Sequence, residues 1–231
     1  MSYTKTIVCL ANSRKLAGRC VAGREWDGQH PGAWCRPVSA RDRGELTAER
    51  WYYKTWRDPQ LLDLIEVSLL GPRPSAFQTE NHLVDSSVRW RYAGHVSARH
   101  LVPALDKPTG PLWANGDSTG SGLNDKVPAA VAERQGNSLV LVQPELLTMT
   151  VGTEGVDAGN PRRRVRGHFS LAGHEYALAI TDPIAEKQIM SNPDGFSSEL
   201  RNPLLCISLS EKYVAQNACY KLIAGVMRVY P

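Results

Sequence analysis

The sequence predicts a mostly β protein made of two comparable halves, each with the five or so short strands that a small Greek-key barrel needs. Three observations carry this reading. Short apolar runs with a two-residue alternation recur along the 231 residues, bounded by clusters of Gly, Pro, Asn and Asp. A stretch rich in Gly, Ser and Asp over 106–127 reads as a connecting loop between one set of strands in 1–105 and another in 128–231. The composition, 42% hydrophobic and 22% charged, is that of a globular chain able to bury a core. No internal sequence repeat is detectable, so the two-barrel arrangement rests on spacing.

The elements follow in order. Residues 5–11 form the first strand, where Ile7, Cys9 and Ala11 alternate with Thr6, Val8 and Leu10; both faces are apolar, as in a central strand. Arg19–Glu25 is the second, with Cys20 and Ala22 on one face. After turn signals at Asp27-Gly28 and Pro31-Gly32, Ala33–Ser39 is the third. There Trp34, Arg36 and Val38 share a side, and Pro37 argues for an edge position or a bulge. Leu46–Trp56 reads as a helix or helical turn, although its aromatics could equally extend a strand. Leu61–Leu70 is a strand ended by Gly71-Pro72-Arg73-Pro74, and His82–Tyr92 is a further strand.

In the second half, Leu139–Val151 is a strand broken at Pro144. Arg162–Ile180 is the cleanest hairpin, turning at Ala172-Gly173-His174. Its first arm directs Val165, Phe169 and Leu171 inward and Arg164, Arg166, His168 and Ser170 outward. A short helix over Ala185–Met190, a strand over Leu204–Leu209 and a last strand over Tyr220–Tyr230, interrupted by Gly225, complete the chain.

Several function classes drop out on composition. No apolar run approaches 18 residues, which excludes a membrane-spanning helix, and the N-terminal segment reads as a strand rather than a signal peptide; a cytoplasmic location is expected. The five cysteines are odd in number and none are spaced as CxxC, so neither a disulfide framework nor a metal site is expected. Neither GxxxxGK[ST] nor GxGxxG is present, and no cofactor is expected. A net charge of +4 permits a polyanionic partner without demanding one.

The run KTIVCLANSRKLAGRCVAG, followed by WCRPVS, LLDLIEVSLL and QTENHLVD, resembles the bacterial dual OB domain-containing family, as does the closing pair LCISLSEKY and CYKLIAGVM. The similarity runs over 5–227. It implies two OB-like Greek-key barrels packed together, in a phage-defence or DNA-modification setting, with nucleic acid or a nucleotide as ligand. It carries over no catalytic residues.

On that fold, ligands lie across strands two and three and against the first connecting loop. Ser13, Arg14, Lys15 and Arg19 then stand at the rim where phosphates pass. Trp34 and Arg36 could stack on or bracket a base, base stacking being worth about 1–3 kcal/mol. Arg162, Arg164, Arg166 and His168 form a second candidate track for a nucleic-acid backbone, with a charge-guarded edge strand as the competing reading. Asn81, His82 and Asp85, together with Asn124 and Asp125 of the Gly-rich loop, are further polar candidates. Cys20, beside Arg19 and near Lys15, is a candidate nucleophile with His30, His82, Asp85 or Glu25 as base, although its alternation with Ala22 argues for burial.

The leading expectation is therefore binding of DNA or RNA, single-stranded, or of a nucleotide, by the first loop and a cleft between the barrels. The alternatives are a base-modifying enzyme with a cysteine nucleophile, for example hydrating the nitrile of a 7-cyano-7-deazaguanine base in DNA, and a non-enzymatic scaffold for defence-system proteins.

Overall fold

The computed structural model describes residues 2–15, 18–41, 43–47, 57–156 and 159–229. They divide into two compact units, one ending at Ala104 and one beginning at Leu105.

The first unit is a closed barrel. β1 (Tyr3–Lys15) pairs β4 (Asp63–Pro72) along its first half and β2 (Gly18–Trp26) along its second. A register shift between Cys9 and Ala11 lets one strand serve both neighbours. β3 (Pro31–Val38) follows β2 antiparallel, and β5 (Asn81–Val84) joins β3 in parallel and β4 antiparallel. The circuit β1-β2-β3-β5-β4-β1 is thereby complete, and β6 (Arg91–His95) extends it beside β4. Closure removes the sheet edges that would otherwise need guarding. Inside are Ile7, Cys9, Val21, Cys35, Ile65, Val67, Leu69, Val84 and Trp90. Gly23 is obligatory on packing grounds, because a β-carbon there would lie 2.0 Å from the Val8 carbonyl oxygen.

One expectation changes here and two are resolved. Pro37 sits at a local edge of β3, as expected. β3 pairs β2 only as far as Cys35, and the Arg36 N–H donates to the Glu80 carbonyl at 2.8 Å. Alternation turns the Pro37 nitrogen toward the side that β2 has already left, so no ladder bond is lost. The strand expected over His82–Tyr92 is two, β5 and β6, separated by a turn in which the Asp85 carboxylate accepts from the Ser87 N–H at 3.0 Å. Of the helix and strand readings of 46–56, Leu46 takes the extended one, exchanging both backbone hydrogen bonds with Arg19 at 2.9 Å; the remainder, from Ala48 to Trp56, lies outside the described residues.

The second unit repeats the connectivity. β8 (Leu139–Val142) and β9 (Leu146–Glu154) behave as one first strand bent at Pro144: β8 pairs β13 (Leu204–Leu209), and β9 pairs β10 (Arg162–Leu171). β10 turns into β11 (His174–Ile180) through Ala172 and Gly173, both at positive φ (48° and 76°), the two-residue turn that matches strand twist. β14 (Ala218–Met227) pairs β11 in parallel and β13 antiparallel. β7 (Lys126–Pro128) extends the pairing at β14, and β12 (Ser197–Arg201) adds to β9.

A four-residue helix, α1 (Ala129–Ala132), follows β7. Between β11 and β13, α2 (Pro183–Met190) buries Ala185 and Ile189 in the core with Val165, Phe169, Tyr176, Leu178 and Ile223. Asp182 caps α2, its carboxylate accepting from the Ile184 N–H at 2.9 Å, a device worth about 1 kcal/mol. No described helix is long and apolar enough to cross a membrane.

Candidate nucleic-acid interface

The first connection is a tight hairpin rather than a loop. β1 and β2 stay paired to Lys15 opposite Gly18, which sets Arg14 directly opposite Arg19 and Ser13 opposite Cys20. Ser13 is buried and Arg14 exposed. Two guanidiniums facing each other across a ladder repel. Asp58 offsets part of this, its carboxylate lying 3.7 Å from Arg19 Nε.

Cys20 is half-buried. The groups considered as its base are engaged elsewhere: His30 lies 3.8 Å from Asp27, Glu25 pairs with Lys5, His82 with Tyr3, and Asp85 caps its own turn.

The outer face of β2 and β3 is occupied by the chain itself. Arg24 stacks on Trp34, its guanidinium 4.5 Å from the ring centroid, and donates to the carbonyls of Gly32 (3.2 Å) and Ala104 (3.4 Å). Trp26 meets His100 edge-on at 6.3 Å. The 3₁₀ segment Ala98–Ala104 therefore lies over this face, and Arg24 covers one face of the Trp34 ring.

Arg36 is 2% exposed, and its Nη1 donates to Glu80 Oε1 at 2.8 Å. The expectation that it brackets a base is corrected: the β4–β5 connection brings Glu80 and Asn81 onto it, making a buried ion pair out of a residue that alternation places outward. Asn81 serves that pair, at 3.5 Å from Arg36, so Asn81, His82 and Asp85 do not form one cluster.

His82 belongs to a group that the sequence reading missed. Tyr3 and Lys5 share the inward register of Ile7 and Cys9, and His82 that of Val84, so at the open end of the barrel they meet Glu25 and Cys35. Tyr3 Oη lies 2.6 Å from His82 Nδ1, His82 Nε2 lies 3.4 Å from Lys5 Nζ, and Lys5 Nζ lies 2.5 Å from Glu25 Oε1. The signal was available: inward alternation read backward from Ile7 reaches Lys5 and Tyr3. Burial, then the Lys5 charge, holds His82 below its ordinary range. Burial works against the Lys5 charge, but its hydrogen bond to Glu25 prevails and holds the ammonium above its usual value. Burial also raises Tyr3 and pushes the Cys35 thiol up to about 12, so Cys35 is a neutral thiol at neutral pH and not a nucleophile.

In the second unit the expected cationic track is interrupted. Arg166 is 8% exposed, held by Glu154 at 2.5 Å, by Asp125 at 3.0 Å and by the Ala177 carbonyl at 3.0 Å. This corrects its assignment to a phosphate track, because the 115–125 segment folds over it. Asp125 is also buried, accepting from the Thr119 N–H at 2.7 Å, and Asn124 donates to the Glu175 carbonyl at 2.8 Å. Both serve the anchoring of this segment to β10 and β11, with Leu123 exchanging backbone hydrogen bonds with Ala177.

Arg162 and Arg164 are exposed, the first donating to Asn160 at 3.2 Å and the second 3.6 Å from Glu154. His168, 3.0 Å from Thr150 Oγ1, is held below its ordinary pKa by burial and by Arg166. It lines an open groove of about 580 Å³ with Glu145, Glu175, Thr148 and Ser170, a surface with too little positive charge for phosphates. Lys221, fully buried, donates to the Ala114 carbonyl and to Asn115 Oδ1 at 2.7 Å, with its ammonium 5.1 Å from the Tyr176 ring centroid.

Both units carry the strand circuit of an OB barrel, with a parallel pair between the third and fifth strands and, in the second unit, a helix between the third and fourth. No curated protein and no solved structure gives a significant match to the chain. The model of the dual OB-containing domain matches residues 5–226, nearly the whole chain, and the protein belongs to that family.

Proposed function

We propose that this protein binds single-stranded nucleic acid through the β1–β2 hairpin tip of its first barrel. One observation carries the reading: Arg14 stands directly opposite Arg19 with Lys15 beside it, at the connection where OB barrels hold their ligands. Three cations within six residues make the tip a favourable place for a passing phosphate. The outer face of β2 and β3 supports the same location by being occupied by Arg24, Trp34 and the 3₁₀ segment. DNA, RNA or a nucleotide-bearing molecule from a phage-defence or DNA-modification pathway would each present such phosphates.

Fluorescence anisotropy with labelled single-stranded DNA, RNA and duplex, between 50 and 200 mM salt, tests this. Replacing Arg14, Lys15 and Arg19 together by Gln should weaken binding and reduce the slope of log affinity against log salt by about 2, at roughly 0.7 for each phosphate no longer neutralised. The Arg14→Gln, Lys15→Gln pair leaves Asp58 undisturbed and should reduce it by about 1.4. Absence of binding to every polymer at low salt, or an unchanged slope in both variants, would refute the proposal.

A further inference from the structure

The open end of the first barrel holds four half-buried polar side chains from three strands, linked in the order Tyr3, His82, Lys5, Glu25. A hydrogen-bond inventory of that chain leaves a defined remainder. Lys5, as an ammonium, donates only, so His82 Nε2 must accept from it. A neutral imidazole then carries its proton on Nδ1 and donates it to the Tyr3 oxygen. Among the described residues three capacities of this group are unspent: the Tyr3 O–H, the third N–H of Lys5, and the remaining lone pairs of the Glu25 carboxylate, whose side chain is 36% exposed. The remainder is two donors beside one carboxylate acceptor. The ion pair is internally balanced, so the end attracts no net charge; it discriminates by hydrogen-bond pattern.

We infer that this barrel end reads a nucleobase edge in which a ring carbonyl adjoins a ring N–H, and that guanine fits it best. The carbonyl accepts from Tyr3 and Lys5, while the adjacent ring N–H and exocyclic N–H donate to Glu25. Uracil offers the carbonyl and one N–H and satisfies the set in part. Adenine has no carbonyl, and cytosine has an acceptor nitrogen where the carboxylate needs a donor. Cys35 beneath the cluster stays a neutral thiol, so the end binds without forming a covalent bond. The inference takes from the preceding reading only that the ligand is a component of nucleic acid; the cations of the hairpin tip are not part of it.

The test is titration calorimetry of the full chain with GMP, UMP, AMP and CMP as probes, followed by the Glu25→Gln and Tyr3→Phe variants. The expected order is GMP tightest, UMP weaker, and AMP and CMP weakest, with at least a tenfold loss of GMP affinity in Glu25→Gln. Tyr3→Phe keeps the Lys5–Glu25 pair and reports on the site even if Glu25→Gln perturbs folding; a loss of about five- to tenfold is expected for one hydrogen bond. His82 ring resonances should shift with GMP and not with AMP. AMP or CMP binding as tightly as GMP, no GMP binding at millimolar concentration, or unchanged GMP affinity in Tyr3→Phe would overturn the inference. The Arg14, Lys15 and Arg19 variant should keep its GMP preference. A variant that loses strand binding but keeps that preference supports this site, and a wild type that binds strands without base preference counts against it.

Discussion

Lys221 offers a sharp test of the second barrel, because a fully buried ammonium makes stability depend on pH in an unusual direction. Burial, opposed by the Asp125 carboxylate, pushes it down from 10.5 to about 8. The gap of about 2.5 pH units corresponds to about 3 kcal/mol at 1.36 kcal/mol per unit. Between these two values the unfolded chain binds a proton that the folded chain does not, so stability contributed by this site rises with pH. Below pH 8 both states are protonated and the full burial cost is present. Lys221→Met removes the titration. It also leaves the Ala114 carbonyl and Asn115 Oδ1 without their donor, each a half-exposed group that water can reach.

Relief of burial and loss of two hydrogen bonds, each worth about 1 kcal/mol, oppose each other. Stability at pH 7 should therefore change by only about 1 kcal/mol. Guanidinium unfolding of both proteins at half-unit steps from pH 7 to 10 yields the difference curve. Wild type should gain on the variant by about 2.5 kcal/mol over that window, which ends just short of the unfolded-state value. Other titrating groups cancel in the difference. A difference that stays flat, or that falls with pH, would refute the argument that this ammonium is held in an unfavourable environment.

Two further perturbations test the first barrel. Gly23→Ala places a β-carbon 2.0 Å from the Val8 carbonyl oxygen and should cost about 3 kcal/mol or more in denaturant unfolding, whereas Gly152→Ala, with nothing within 4 Å, should change stability by less than about 0.5 kcal/mol; equal effects would contradict the packing argument. Glu80→Gln strands the Arg36 charge and should cost about 3–5 kcal/mol, while Arg36→Met combined with Glu80→Leu should cost less than the single change, because Nε and Nη2 of Arg36 already lack partners among the described residues.

Much of the strand layout was legible because alternation and turn chemistry are local. Pro144 broke a strand where expected, and the Arg162–Ile180 hairpin turned at Ala172-Gly173. The site residues were less legible because their surroundings are made by distant segments. Alternation placed Arg166 on an outward face and Arg36 on one side with Trp34, but neither is exposed: residues near 80 and 125 fold over them. The same non-local packing turned a composition that reads as a flexible connector into an anchored segment. Tyr3 and Lys5 escaped notice, and Glu25 was weighed only as a base for Cys20, for the opposite reason. They are polar residues in inward registers, and only the barrel's end makes such positions accessible.

In each barrel part of the outer face of the second and third strands is covered by the barrel's own chain, by Ala98–Ala104 over Arg24 and Trp26 in the first and by 115–125 over Arg166 in the second. On the two proposals above, recognition within the first barrel falls at the two ends of β1. The hairpin end carries Arg14, Lys15 and Arg19 and would respond to phosphate charge; the other end carries Tyr3, Lys5, Glu25 and His82 and would respond to donor and acceptor pattern. β1 spans 13 residues, so the ends are at most about 40 Å apart. No mononucleotide reaches both, but a strand within the roughly 4–16 nucleotides that one OB fold accommodates does. Charge and pattern should then separate in one titration: raising salt should weaken strand binding steeply through the hairpin, while the preference for guanine, set by neutral hydrogen-bond geometry, should persist.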